Sequence, residues 1–250
     1  MKPEHPKVEH LPALRQLWQE AFGDTDAFLD AFFGAAYSPE RCLCIVEGER
    51  ALSAAYWLDA QMVSGKAAYI YALATAKDQR GKGLAHAVME AVQEELKAQG
   101  YAAAILVPGE PGLSRLYGSM GYRFFGGIRS VSAIAQSPGV TLRKISGDEY
   151  AALRRSYLPY GAVIQDKENM RFLESYAQLY AGEDFLLAAY VEDDTVSGLE
   201  LLGNTEKAPH ILYTLTVKQG SFRTPGEEHF AMWLPLQECE EPTYFGIAFD

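Results

Sequence analysis

QRGKGLAHAVM, residues 79–89, sets two glycines and two cations side by side and then runs into helical spacing. From Lys82 onward the apolar residues Ala85, Val88, Met89, Val92 and Leu96 share one helical face, and Gly100 stands where that helix should stop. A helix start leaves its first backbone N–H groups unpaired and carries about half a positive charge from the helix dipole. Glycines at 81 and 83 let a bulky group approach that backbone without meeting a Cβ, and Arg80 and Lys82 add charge. The stretch therefore predicts an anion site at a helix N-terminus, of a kind that suits a pyrophosphate. Two familiar loops are excluded by spacing: Gly81 and Gly83 have no third glycine for G-x-G-x-x-G, and G-x4-G-K-[ST] does not occur. What remains is R-x-x-G-x-A across Arg80, Gly83 and Ala85.

Upstream, residues 41–76 read as three strands joined by turns at Glu47-Gly48 and Ser64-Gly65, an antiparallel meander. Two helices precede it. One spans 8–22 with Leu11, Leu14, Trp18 and Phe22 on its apolar face; the other spans about 26–37, stopped by Ser38-Pro39. Downstream come a buried strand, YAAAILVP at 101–108, and GEPGLSRLYGSMGYRFF at 109–125, read as a loop, a short helix and a strand from Tyr122. AQSPG at 135–139 marks the expected boundary between domains at 1–137 and 140–250. Beyond it, Ser146 and Glu149 form a capping-box pattern, a second helix is expected at about 166–180, and strands at 185–192, 196–202, 210–218, 228–236 and 243–249. The order helix, helix, meander thus recurs without a residue-level repeat.

The 250 residues carry a formal net charge of −11, which argues against nucleic-acid binding and favours a cationic small molecule or peptide as partner. Cys42, Cys44 and Cys239 show no metal spacing and read as reduced thiols. His5, His10, His86, His210 and His229 show none either, and Ser114 and Ser119 lack a G-x-S-x-G turn, so no metal is expected. Asp59 and Gln61 alternate on the second strand, where they line an amine pocket or face solvent. The first 30 residues hold no apolar signal segment, and no window reaches the ~20 apolar residues of a membrane span, so a cytoplasmic protein without membrane contact is expected.

R-x-x-G-x-A resembles the signature Q/R-x-x-G-x-G/A of the GNAT superfamily of N-acetyltransferases, and LYGSMGY at 116–122 resembles that family's F-Y-x-x-x-G-[FY] segment. The resemblance covers residues 1 to about 132. It implies an α/β (α+β) GNAT fold, a mixed central sheet with flanking helices, followed by a second, smaller, degenerate GNAT-like α+β domain. It also implies acetyl-CoA as co-substrate. Backbone groups of Leu73, Ala74 and Thr75 would pair with the pantetheine arm. Arg80 and the amides of Gly81, Lys82, Gly83, Leu84, Ala85 and His86 would hold the pyrophosphate, and Gly112 and Leu113 would reach the cofactor. Tyr117 would be the general acid toward the leaving thiolate, its alternative being a core aromatic.

ALATAKDQRGKGLAHAVM with LYGSMGYRFF is most similar to the enhanced intracellular survival (Eis-like) group of tandem acetyltransferases. That likeness implies a terminal carboxylate, here Asp250, reaching back into the site, and self-association into a homo-oligomer. The pattern departs from the family on the strand AAYIYALAT, which has no carboxylate to serve as base. Two readings stay open: an acetyl-CoA-dependent N-acetyltransferase acting on a primary amine, and a non-catalytic acyl-CoA-binding or interaction module.

Overall fold

The computed structural model describes residues 1–110 and 112–249. Helix α1 (Leu11–Phe22) buries Leu14, Leu17 and Trp18 and stops at Gly23, whose φ of +78° breaks the helix. Phe22, expected on the buried face, is 48% exposed at the helix end. Helix α2 (Asp26–Ala35) starts at Thr25, whose hydroxyl accepts from the Phe28 N–H at 3.2 Å, and buries Leu29 and Phe32. The expected meander follows as β1 (Cys42–Glu47), β2 (Arg50–Met62) and β3 (Gly65–Thr75), each antiparallel to the next. Then come α3 (Leu84–Ala98), β4 (Ala103–Leu106) parallel to β3, α4 (Leu113–Ser119) and β5 (Arg123–Phe125). Val88, Met89, Val92 and Leu96 of α3 seal one sheet face in a core with Ile45, Trp57, Ala104 and Leu106.

The second half holds β6 (Ile128–Ile134), β7 (Arg143–Lys144), α5 (Gly147–Tyr157), α6 (Glu168–Tyr176), β8 (Gln178–Ala181), β9 (Phe185–Val191), β10 (Thr195–Gly203), α7 (Ala208–Thr214), β11 (Gln219–Pro225) and β12 (Ala231–Pro235). Ser146 caps α5, accepting from the Glu149 N–H at 3.3 Å. Three expectations fail here. Residues 210–218 are not a strand: Ala208–Thr214 is helical, with Ala208, Ile211 and Leu212 buried on one face. Seven residues are too few to show a helical period, and the β-branched and aromatic content of HILYTLTV imitates a strand. The helix expected to run to 180 ends at Tyr176, and Gln178–Ala181 is β8. Residues 243–249 form no strand but a buried tail, fixed by Val163 N–H to Tyr244 O at 2.9 Å and Gln165 Nε2 to Ile247 O at 2.8 Å.

By contact density the chain forms two compact units, 1–123 with 232–240, and 124–231 with the segment from 241 onward. Their sheets run β1-β2-β3-β4-β12-β5 and β6-β11-β10-β9-β8-β7. The first sheet takes a strand from the far half of the sequence, and the second opens on a strand that precedes its helices. β12 lies antiparallel on β4, from Met232 opposite Leu106 to Pro235 opposite Ala103. β6 lies antiparallel on β11, from Ile128 opposite Pro225 to Ile134 opposite Gln219. The Ser/Pro/Gly break at 135–139 falls inside the second unit, between β6 and β7.

The second unit buries the ion pair of Arg154 with Glu200, at 1% and 0% side-chain exposure. A buried charge is tolerated only when paired and fully hydrogen-bonded. Glu200 meets that condition by accepting from Arg154 Nε and Nη2 at 2.6 and 2.8 Å and from the Tyr150 and Tyr244 hydroxyls at 2.9 and 3.0 Å.

Candidate functional site

The residues marked for a cofactor lie in the first unit, apart from Asp250, which falls outside the described residues. β3 pairs with β4 only from Ala67 to Tyr69, opposite Ala103 to Ile105, yet continues to Thr75. On its other side the register against β2 shifts between Ala54 and Tyr56, and Ala72 takes a φ of +59°. A non-glycine residue in that region marks a bulge that turns the strand. The stretch holding Leu73, Ala74 and Thr75 thus parts from its neighbour, leaving an edge for another extended group. Ser53 of β2 fixes its far end, its hydroxyl donating to Ala74 O at 2.9 Å and lying 2.9 Å from the Thr75 hydroxyl.

After Thr75 the chain makes a 3-10 turn, Lys77–Gln79, and enters α3 through Gly81 and Gly83 at φ +76° and +80°. Only glycine adopts these angles without strain. A Cβ built at either glycine would meet nothing within 4 Å, so the outer face of the turn is open. The α3 start has no side-chain cap, which leaves the amides of Leu84, Ala85 and His86 without intrahelical acceptors. Arg80 donates through Nε to Thr75 O at 3.2 Å and Lys82 through Nζ to Gln79 Oε1 at 3.0 Å. Both side chains are exposed, and among the described residues neither has a carboxylate partner. Open glycines, free amides and unneutralised cations together fit a diphosphate.

Tyr117 sits on α4, 8% exposed, in the core cluster with Val88, Leu106 and Tyr122, and against that cluster pack Leu73, Leu84 and Leu113. Its ring meets Tyr122 edge-on at 6.1 Å. Burial alone pushes its phenol up to about 12, so the hydroxyl keeps its proton at neutral pH. The ring is packed as a core aromatic. His86 Nε2 lies 3.3 Å from the Ser119 hydroxyl, tying the head of α3 to the end of α4. Gly112 precedes α4, where the Leu113 N–H reaches Glu110 O at 3.0 Å.

Other candidates resolve into structure. Asp59 accepts from the Tyr101 hydroxyl and pairs with Lys66 at 3.2 Å. Cys42 and Cys44 are buried thiols and Cys239 is half-buried, all free. Among the described residues no group of three His, Cys, Asp or Glu is placed to hold a metal ion, and no helix is long and apolar enough to cross a membrane. Sequence reasoning missed Ser53, the Ala72 bulge, and the Glu20, Arg50 and Asp78 side chains that hold the turn, because none lies in a motif.

Residues 4–125 match the family described as the acetyltransferase (GNAT) domain. No curated protein matches the sequence. Among solved structures, a GCN5-related N-acetyltransferase from Kribbella flavida superposes with a TM-score of 0.70 at 18% identity, over 93% of this chain and 70% of its own. Another from Anabaena variabilis gives 0.71 at 13% identity over 94% and 73%. Eis1 from Mycobacterium abscessus gives 0.67 at 14% identity over 94% and 74%. At such identities the likeness is one of fold. Motif, turn geometry and family match coincide on the same segment: residues 4–125 match the acetyltransferase (GNAT) domain, and the fold is the one that solved GNAT acetyltransferases share.

Proposed function

We propose that the protein transfers an acetyl group from acetyl-CoA to a primary amine. The observation that carries this reading is the open, cation-flanked glycine turn at the head of α3. Arg80, Lys82 and the amides from Gly81 to His86 would hold the diphosphate, and the free edge of β3 at Leu73, Ala74 and Thr75 would receive the pantetheine arm. The donor supplies a thioester, whose carbonyl is attacked by a neutral amine. Backbone N–H groups at the β3 bulge would stabilise the oxyanion, and Tyr117 would give its proton to the departing sulfur. β3 carries no carboxylate to serve as base, and water would take the acceptor's proton. The acidic chain favours a cationic acceptor such as a polyamine, an aminoglycoside or a lysine-bearing peptide.

The test is thiol release from acetyl-CoA against a panel of amines, wild type beside Tyr117→Phe. Removing a general acid should lower kcat about 10²–10⁴-fold while CoA affinity is kept. Because burial raises the phenol to about 12, the wild-type rate should not fall near pH 10, where an ordinary tyrosine ionises. Tight CoA binding with no amine acetylated would instead favour the non-catalytic module, a reading that the missing carboxylate on β3 keeps in view.

A further inference from the structure

The turn between β3 and Gly81 is held from outside its own stretch of sequence. Glu20 of α1 accepts from the Lys77 backbone N–H at 2.6 Å. Arg50, the first residue of β2, forks onto Asp78: Nη1 lies 2.9 Å from Oδ2, and Nη2 donates to Oδ1. Gln79 Nε2 donates to the same carboxylate at 3.0 Å, and Gln79 Oε1 accepts from Lys82 Nζ. An unbroken series of side chains, Arg50, Asp78, Gln79 and Lys82, therefore runs from the sheet to the second cation of the turn.

Asp78 is out of place by charge. It sets a full negative charge two residues before Arg80, on a turn whose other features favour an anion. Repulsion between a carboxylate and phosphates acts across distances of this order and is screened by salt. Arg50 removes the conflict, since its guanidinium neutralises the carboxylate and holds it well below the usual carboxylate range, at about 2. The fork also fixes orientation, because two parallel N–H···O bonds leave the pair little freedom to rotate. Both side chains are half exposed, and an exposed pair contributes little to folding stability. Its service is local.

We propose that Arg50 is a positioning residue for donor binding: by its fork on Asp78 it fixes the turn and cancels the carboxylate's repulsion of the phosphates. This rests on the reading of the turn as the acetyl-CoA phosphate site. The probe is CoA itself, titrated by calorimetry into the full chain at low and high salt, for wild type, Arg50→Ala, Asp78→Asn and the double variant.

Arg50→Ala should weaken CoA about 10-fold or more at low salt, and Asp78→Asn less than about threefold, since losing the repulsive charge offsets the looser turn. The double variant should bind more tightly than Arg50→Ala, and high salt should narrow that gap. KM for acetyl-CoA should follow these Kd values while kcat at saturation holds and KM for the amine stays put. Wild-type affinity in Arg50→Ala overturns the proposal, and so does a double variant no better than Arg50→Ala at low salt. Failure of wild type itself to bind CoA overturns the donor reading along with it, an outcome distinct from the other two. Thermal midpoints of the four proteins separate loss of binding from loss of fold.

Discussion

Two strand-to-helix connections, Ala76–Gly83 in the first unit and Asn204–Lys207 in the second, occupy the same place in the same order of elements, and only one is open. In each unit two helices and a meander precede it, and a helix and a strand parallel to the last of the meander follow. Gly81 and Gly83 face empty space. Gly203 has a similar φ of +83°, but a Cβ there would lie 2.3 Å from Asp184 O and 2.7 Å from the Tyr157 ring. That glycine serves close packing and the first two serve access. The second turn also spends its donors: Asn204 Oδ1 accepts from the Glu206 N–H at 3.2 Å, and Pro209 has no N–H to offer. Glu206 adds a negative charge. A shared topology thus says little about what a connection can bind, which is set by a handful of its residues.

The strongest challenge to this contrast is Gly83→Val. A branched side chain would stand where an anion approaches, at an angle that costs a non-glycine residue about 1–2 kcal/mol. Two or three backbone hydrogen bonds to a charged group, each about 1.5–3 kcal/mol, would be lost, so CoA affinity should fall at least 100-fold. Calorimetry checks this, and retained binding would mean the turn is not the anion site.

A second test asks whether the units are energetically separate. Trp18, Trp57 and Trp233 all lie in the first unit, so tryptophan fluorescence reports on it alone. Val131→Asp on β6 puts a charge against the second unit's core cluster. If that unit unfolds, β12 can stay on β4 only by closing a loop of roughly a hundred residues, at about 4 kcal/mol. The urea midpoint of tryptophan fluorescence should therefore fall together with amide-exchange protection of Leu186–Ala189. An unmoved fluorescence midpoint would show the units to be independent.

The smallest effect is expected from Glu206→Lys with Pro209→Gly. These changes restore charge and a donor at the second turn but leave Gly203 closed, so CoA should still bind at one per chain, with Kd within about twofold of wild type. A second equivalent of CoA would sharpen the comparison differently, placing the distinction in residues 206 and 209 rather than in the packed glycine.

Much of the first unit was legible because its signals are local. The period of α3, the turns at Gly48 and Gly65 and the stop at Gly100 each sit within a few residues of what they specify. So does the glycine turn before α3, since Gly81, Gly83 and the helix start adjoin. The bracing residues were not legible: Glu20 is 57 positions from Lys77, and Arg50 is 28 from Asp78. Nor was α7, at seven residues too short to declare a period, nor β11, which falls between the strands expected at 210–218 and 228–236. The pairing of β12 with β4 joins residues far apart in sequence, and a run of apolar residues carries no label naming its partner.

The late arrival of β12 in the first sheet also sets an order of events during synthesis. β6 precedes the second unit's other strands, so it waits for β11 and that sheet can close as soon as β11 appears. β4 has the opposite fate. Its edge, Ala103-Ala104-Ile105-Leu106, is wholly buried in the finished molecule, yet its partner is translated roughly 125 residues later, on the order of 6–25 s at ordinary rates. During that interval the nascent first unit shows an apolar strand with unpaired backbone, the feature that invites pairing with another chain. The first sheet is begun first and completed last, and the yield of the protein in the cell should depend on what shields β4 in between.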